Sequence, residues 1–536
     1  MTVGAALLGM LLPFMQPVSG LIADPNGPAQ AAYLIVAADA FAGDCNALLA
    51  HRAAGGRSVG LVRFADVRRT WPGRSGPEAL VACLRDARAD WGTQFVLLVG
   101  DAAGPPECVI PWCTGPAAYV SDQFVSSREL AHDWDYATLG GPEPVLHVGR
   151  FPVQTRAELA VMIAKTIAYE TTLPAGEWQA RLRFVAGPFG GAPMIDRVLE
   201  TQLTRLLSDN VPPAYDLEVA YANPASPYCP YPPLFHDNAV RMLNEGALLY
   251  CYAGHGTRHG LDSITWNQRP TPFLEVGQAG EVAVTAGLPV MAAMACWTAA
   301  LDTEGGDCLA EALLKRPAGP VAYLGATRIC QPYGNVLLGR ALVGTIFSAE
   351  YPTLGEAVTE AERRLLAPEA SETRRQLDAL AAMVQGAPAL EPIRRDTVRH
   401  YLLLGDPALV LRRPLPLAGP ETTPDGAGVR VQCAAPFARE ARVSLRVPAD
   451  RAAHPVPPAP NRDAPDFAAA MTTRYRAAND RVLTSMAPVL DHGTIQVRLP
   501  LVADFTGGTV FARVVAWDDR TVALGAAPLT FPAAPH

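Results

Sequence analysis

The sequence predicts an α/β body built on a parallel sheet, followed by a smaller all-β sandwich of immunoglobulin-like type. Three observations carry this. Short apolar runs alternate with helix-like segments from Tyr33 to the string YLLLGDPALVLRR, which ends at Arg413. Two of these runs stop abruptly at polar residues: GALLYCYAGHG at His255-Gly256, and LPVMAAMACW at Cys296-Trp297. Past Pro414 the composition turns to proline, glycine and acidic residues through Gly426, and the apolar period then becomes two.

Taken in order, YLIVAAD is a strand and CNALLAHRAAG a helix stopped by Gly55-Gly56. SVGLVRF is a second strand, GPEALVACLRDARADWG an amphipathic helix and QFVLLVGD a third strand. Right-handed crossovers make such a βαβαβ run a parallel sheet. VLHVGRFPVQT and RAELAVMIAKTIAYE add a strand and a helix. A second unit begins with the strand RFVAGP and the helix MIDRVLETQLTRLLSD, and the proline-rich piece from Val211 to Pro232 reads as a connection. The helix FHDNAVRMLNEG feeds the strand before His255; LPVMAAMAC, the helix CLAEALLKRPAG and the strand PVAYLGATR follow. Helices are expected over Asn335 to Ala349, over Thr353 to Ala367 and in RRQLDALAAMVQG. VRVQCAA, ARVSLRVP, HGTIQVRLPLVAD, GGTVFARVVAWDD and TVALGAAPLTF alternate as half-buried antiparallel strands, around a helical insert, DAPDFAAAMTTRYRAANDRVL. The expected boundaries are 1–29 (apolar arm or leader), 30–175 and 176–415 (two α/β subdomains) and 425–536 (sandwich).

Bulk properties narrow the functional classes. At 536 residues the chain exceeds one ordinary core, and 49% apolar with 18% charged residues excludes a disordered or fibrous protein. A net charge of -8 with no polybasic run argues against nucleic acid as a partner. Ten cysteines without a CxxC pair argue against structural zinc, although Cys108 and Cys113 could be bridged in an exported chain. The first twenty residues are apolar but lack a basic start and are interrupted by Pro13 and Pro17. That gives no firm membrane signal and favours the cytoplasm over export. Oligomeric state is not readable.

The chemistry concentrates at the two strand ends. The rim of a parallel sheet where strands end is where open α/β proteins place their sites. A free thiol has a pKa of about 8.5 and is little ionised at neutral pH, so it needs a nearby imidazole to act as a nucleophile. Cys296 is the candidate nucleophile and His255 the base, with His259 a competitor lying in the following loop. The backbone N–H groups of Gly256 and Cys296 are candidate donors to a developing oxyanion.

These residues and their surroundings resemble the gingipain-type cysteine peptidases, whose catalytic fold is caspase-like. The resemblance rests on YLIVAADAF, on YVSD (Tyr119 to Asp122), on Gly149 to Pro152 followed by IAKTIAYE, on His255-Gly256, on Cys296 and on Leu404 to Pro407. It covers about residues 30 to 415 in order. It implies a caspase-like body of two subdomains with an immunoglobulin-like domain after it. It also implies hydrolysis of protein or peptide substrates through a thioester acyl-enzyme, with Cys296 as nucleophile and His255 as base.

Two departures stand out. The family often carries an acidic residue four positions before the glycine of its G-R strand, helping to hold the histidine; here that position is Val145, and Glu143 is the nearest carboxylate able to orient His255. The turn after the nucleophile often contains glycine in the family, whereas here Trp297 follows and could wall or occlude a substrate pocket. Asp302, Glu304, Asp307 and Asp262 near the two candidates suggest an acidic loop favouring a basic side chain before the cleaved bond. No resident cofactor or metal is expected, although Asp39, Asp101 and Asp122 at strand ends leave a structural calcium open. The alternative is a weak or inactive member serving as a binding or assembly module. GPFGG fits no nucleotide-binding fingerprint, and no GxSxG elbow is present.

Overall fold

The computed structural model describes residues 30–121, 125–188, 209–303, 305–368, 371–425, 428–501, 505 and 507–532. The apolar arm, Asp122, Glu304 and nearly all of the expected helix MIDRVLETQLTRLLSD lie outside them.

Ten strands form one sheet: β1 (Tyr33–Ala37), β2 (Val59–Arg63), β3 (Phe95–Val99), β4 (His147–Phe151), β5 (Arg181–Ala186), β6 (Asp216–Tyr221), β7 (Leu249–Ala253), β8 (Val290–Met294), β9 (Ala322–Ala326) and β10 (Tyr401–Leu404). The order across the sheet is β2-β1-β3-β4-β10-β9-β8-β7-β5-β6. Neighbours within β2-β1-β3-β4 and within β9-β8-β7-β5-β6 are parallel, and β10 is antiparallel to β9. β10 meets β4 at one position, Leu404 opposite Arg150. Strands from both expected α/β stretches therefore belong to a single, predominantly parallel sheet.

The strings behave as their composition dictates. β1, β3, β8 and β9 are buried at every residue, which is why they read as unbroken apolar runs rather than alternating ones. Helices Arg156–Thr171 and Leu354–Leu366 start at capping boxes, Thr155 with Glu158 and Thr353 with Glu356, that satisfy their first free N–H groups. Helix Gly76–Trp91 does the same through Ser75 and Glu78. Helix Pro332–Ile346 packs on β8, and helix Phe235–Asn244 packs on β5.

The LGDP string places β10. Asp406 lies beside the start of β1, accepting from Tyr33 Oη at 3.1 Å and from Arg52 Nε and Nη2 at 3.0 and 2.8 Å. Arg52 also donates twice to Glu170, at 2.9 and 2.8 Å, which fastens two helices to the same point.

The expected connection from Val211 to Pro232 contains strand β6. Its DLEVAY string puts Asp216 and Glu218 against Arg183 of β5, so charge pairing rather than apolar content marks this edge strand. Two short hairpins also escape the sequence pattern, Cys113–Pro116 with Glu129–His132 and Ser263–Trp266 with Arg269–Pro272. All ten cysteines are free, so Cys108 and Cys113 are buried thiols rather than a bridge. Among the described residues, no helix is long and apolar enough to cross a membrane.

The C-terminal region holds a five-stranded and a four-stranded sheet. Alternate residues from both, including Val429, Val431, Val443, Leu445, Ile495 and Val514, share one apolar cluster. The insert is helical over Phe467–Asn479 and turns toward the α/β body. Tyr475 donates to Glu218 at 2.9 Å, and Phe467 stacks on Trp266 with 5.4 Å between ring centroids. The insert therefore braces the hairpin that follows His255.

Candidate active site

β7 and β8 are neighbours, and their last residues, Ala253 and Met294, face each other in register. His255 and Cys296 thus leave the same sheet rim at matching positions. Gly256 shows how closely the two ends meet: a Cβ there would lie 2.7 Å from the Cys296 carbonyl oxygen and 2.9 Å from Thr298. Only glycine permits that approach. Tyr252 Oη donates to the His255 carbonyl at 2.7 Å and accepts the Asp262 amide at 3.3 Å, tying the loop to its own strand. His255 itself is exposed, and no described carboxylate forms an ion pair with it.

Cys296 is half-buried, and its sulfur is held by Cys330, which no sequence motif singles out. The Cys330 amide donates to Cys296 Sγ at 3.4 Å, and Cys330 Sγ donates to it at 3.7 Å. Cys330 is fixed in turn by Asn335 Nδ2 at 3.1 Å, with Tyr401 Oη 3.8 Å away. The Cys330 thiol hydrogen bond is the main influence lowering Cys296 to about 6; burial opposes it, and the Cys330 amide and the field of His255 reinforce it. Burial acts the other way on the remaining thiols, pushing Cys45, Cys83 and Cys251 up to about 12. The surroundings of Cys296 thus favour its thiolate, whereas burial disfavours the thiolates of those three. The available signal for Cys330 was its place after PVAYLGATR, the third successive apolar run to end near this rim.

Trp297 adopts φ +63°, a left-handed conformation that glycine takes freely. For an L-residue this costs about 1–2 kcal/mol. The Trp297 amide donates to the Arg328 carbonyl at 3.2 Å, and the guanidiniums of Arg258 and Arg328 lie over the indole at 4.6 and 5.2 Å. Such cation–π contacts each offset about 0.5–1 kcal/mol at partly exposed sites.

The two described acids after Cys296, Asp302 and Asp307, are paired within the protein. Arg328 holds Asp302 through two bonds of 3.2 and 2.7 Å, and Lys315 Nζ holds Asp307 at 2.6 Å. Asp262 accepts its neighbour's amide through Oδ1, while its Oδ2 is buried.

Glu143 is not brought to His255. It is exposed in the loop before β4, whose neighbouring carbonyls, Pro144 and Val145, accept from Arg363 and Arg88, both at 2.7 Å. Arg328, past the end of β9, lies 5.2 Å over Trp112, in the loop after β3. The G-R-F-P string proves structural: Arg150 is fully buried and donates to Asp133 at 2.9 and 2.8 Å and to the carbonyls of Gly100 and Ile110 at 3.1 and 2.6 Å.

Cys113, His132 and Asp135 cluster with ligand atoms within 4.8 Å of one another. Arg399, which can only donate, reaches His132 Nε2 at 2.9 Å, so the ring proton sits on Nδ1 and that nitrogen has no lone pair for a metal. Of the strand-end aspartates, Asp39 accepts the Ala65 amide at 3.3 Å and Asp101 accepts Gln154 Nε2 at 2.6 Å.

Comparison with known proteins places this geometry. No curated protein matches the chain. Among solved structures, the Arg-specific cysteine proteinase gingipain R is 16% identical with a TM-score of 0.51, covering 93% of this chain and 98% of that one. A structure described only as a protease is 15% identical with a TM-score of 0.52, covering 94% and 99%. The complex of pro- and mature domains of RgpB from Porphyromonas gingivalis matches at 15% identity and a TM-score of 0.50, covering 92% and 99%. At such identities the likeness establishes a shared mixed α/β fold. The family assignment comes from the sequence: residues 26–412 match peptidase family C25, and the chain belongs to that family of cysteine peptidases.

Proposed function

We propose that the protein is an active cysteine endopeptidase working through a Cys296–His255 dyad. The observation that carries the reading is the register of β7 and β8, from which His255 and Cys296 leave one rim at matching positions, with the Cys330 amide donating to Cys296 Sγ. The Cys296 thiolate attacks the scissile carbonyl, and the N–H groups of Gly256 and Cys296 receive the oxyanion. His255 protonates the departing amine, then removes a proton from the water that hydrolyses the thioester. Trp297 forms a wall of the substrate cleft. The two C-terminal sheets form an immunoglobulin-like sandwich whose helical insert holds the hairpin behind the histidine loop.

The test is turnover of a mixed quenched-fluorescence peptide library by purified protein beside Cys296→Ala and His255→Ala. Cleavage by the wild type alone is expected. Equal cleavage by all three, or none by any, overturns the assignment. A second reading, a binding or assembly module without turnover, draws on the lack of a described carboxylate paired with His255. Cysteine-dependent cleavage rejects it.

A further inference from the structure

Resting on the peptidase reading, we propose that the cleft selects an acidic side chain on the residue before the scissile bond, with Arg258 as its counter-charge. Arg258 lies in the loop between His255 and its hairpin, with its guanidinium 4.6 Å from the centre of the indole that follows the nucleophile. Among the described residues no carboxylate forms an ion pair with it. The other cation on the same ring, Arg328, is neutralised by Asp302 at 2.7 Å. Asp307 is held by Lys315, so the two described acids that follow Cys296 are both occupied. Of the two cations over this indole, Arg258 is therefore the one without a described counter-charge, and a half-buried cation attracts an anionic partner far better than a second cation.

The test uses two peptidyl acyloxymethyl ketones identical except for aspartate or lysine next to the reactive group, with labelling of Cys296 followed by mass spectrometry. The aspartate probe is expected to label at least about tenfold faster, and Arg258→Glu to reverse the ranking, which a general loss of structure does not do. Equal rates, or a faster lysine probe on the wild type, overturn the selectivity and leave the peptidase reading standing. If neither probe labels while iodoacetamide still alkylates Cys296, the peptidase reading falls and takes this one with it.

An independent observation, the 3.7 Å separation of Cys296 Sγ and Cys330 Sγ, assigns a reversible oxidation site. We infer that a peroxide converts this pair to a disulfide that shelters the nucleophile. The Cys296 sulfur attacks the peroxide; the S–O bond forms, the O–O bond breaks, and hydroxide leaves as water. Cys330 then attacks the sulfenic sulfur; the S–S bond forms, the S–O bond breaks, and the Cys330 proton leaves with the hydroxide as a second water. The bond of about 2.05 Å requires only a small closing movement.

Hydrogen peroxide treatment of the full chain is expected to remove two hydrogens and yield a Cys296–Cys330 linked peptide. Dithiothreitol should restore alkylation of Cys296. In Cys330→Ser, Cys296 should proceed to sulfinic and sulfonic acids instead. Overoxidation of Cys296 at the same rate in both proteins, or no linked peptide in the wild type, overturns the site.

Discussion

Arg150 lies in β4 and Cys296 just past the end of β8 in the same sheet, and both are polar residues that the sequence marks as special, yet their surroundings are opposite. Arg150 is fully buried, with two bonds to Asp133 and two to backbone carbonyls. It leaves nothing to offer a substrate. Cys296 is half-buried and held by Cys330, and the field of His255 favours its charge. A polar strand residue saturated by its own protein is architecture; one held from a single side is available for chemistry.

Substitutions can break or sharpen this contrast. Cys296→Ala should abolish peptide cleavage while costing only about 1–3 kcal/mol of unfolding free energy in urea, for the Cys330 amide and thiol left without their acceptor. Arg150→Met should do the reverse: leaving Asp133 buried without its partner should cost about 3–5 kcal/mol in the same urea titration. A smaller effect is expected of Gly256→Ala, whose Cβ would press on the Cys296 carbonyl oxygen at 2.7 Å. A displacement near 1 Å at reacting groups lowers kcat/KM by about a hundredfold, so steady-state kinetics on a cleaved peptide should find that loss with the fold intact. Cys330→Ala removes the main influence that lowers the Cys296 pKa. The pH at which Cys296 is half-ionised should rise from about 6 toward the ordinary thiol value of about 8.5, read from thiolate absorbance at 240 nm. Phe467→Ala, which unstacks Trp266, should show the least, about 1 kcal/mol in unfolding.

Much of this arrangement was legible in the sequence because burial on both faces of a strand leaves a plain mark. Nine of the ten sheet strands announce themselves as apolar runs, and the two that end at His255 and Cys296 point to the rim directly. β6 was not legible, since its Asp216 and Glu218 are explained only by Arg183 across the sheet. Glu143, beside the G-R string in sequence, is exposed and forms no ion pair with His255 among the described residues. The neutralisation of Asp302 by Arg328 and the support of Cys296 by Cys330 join residues 26 and 34 positions apart, and no local pattern encodes either. Trp297 is the instructive case. Its sequence position looks unsuited to a left-handed turn, and the two arginines over its ring become apparent only once three loops are folded together.

The central claim is that Cys296 is held as a thiolate at neutral pH, and the protein carries its own control. Cys433 is comparably accessible but pushed up to about 11 by burial. Because the thiolate is the reactive form, alkylation by iodoacetamide must rise with pH through each group's pKa and be lost as pH falls through it. Measured site by site from pH 5 to 10 by mass spectrometry, the account predicts half-maximal reactivity of Cys296 near pH 6, with Cys433 unreactive at pH 7. A Cys296 profile centred above about pH 8, like that of an ordinary thiol, would contradict it.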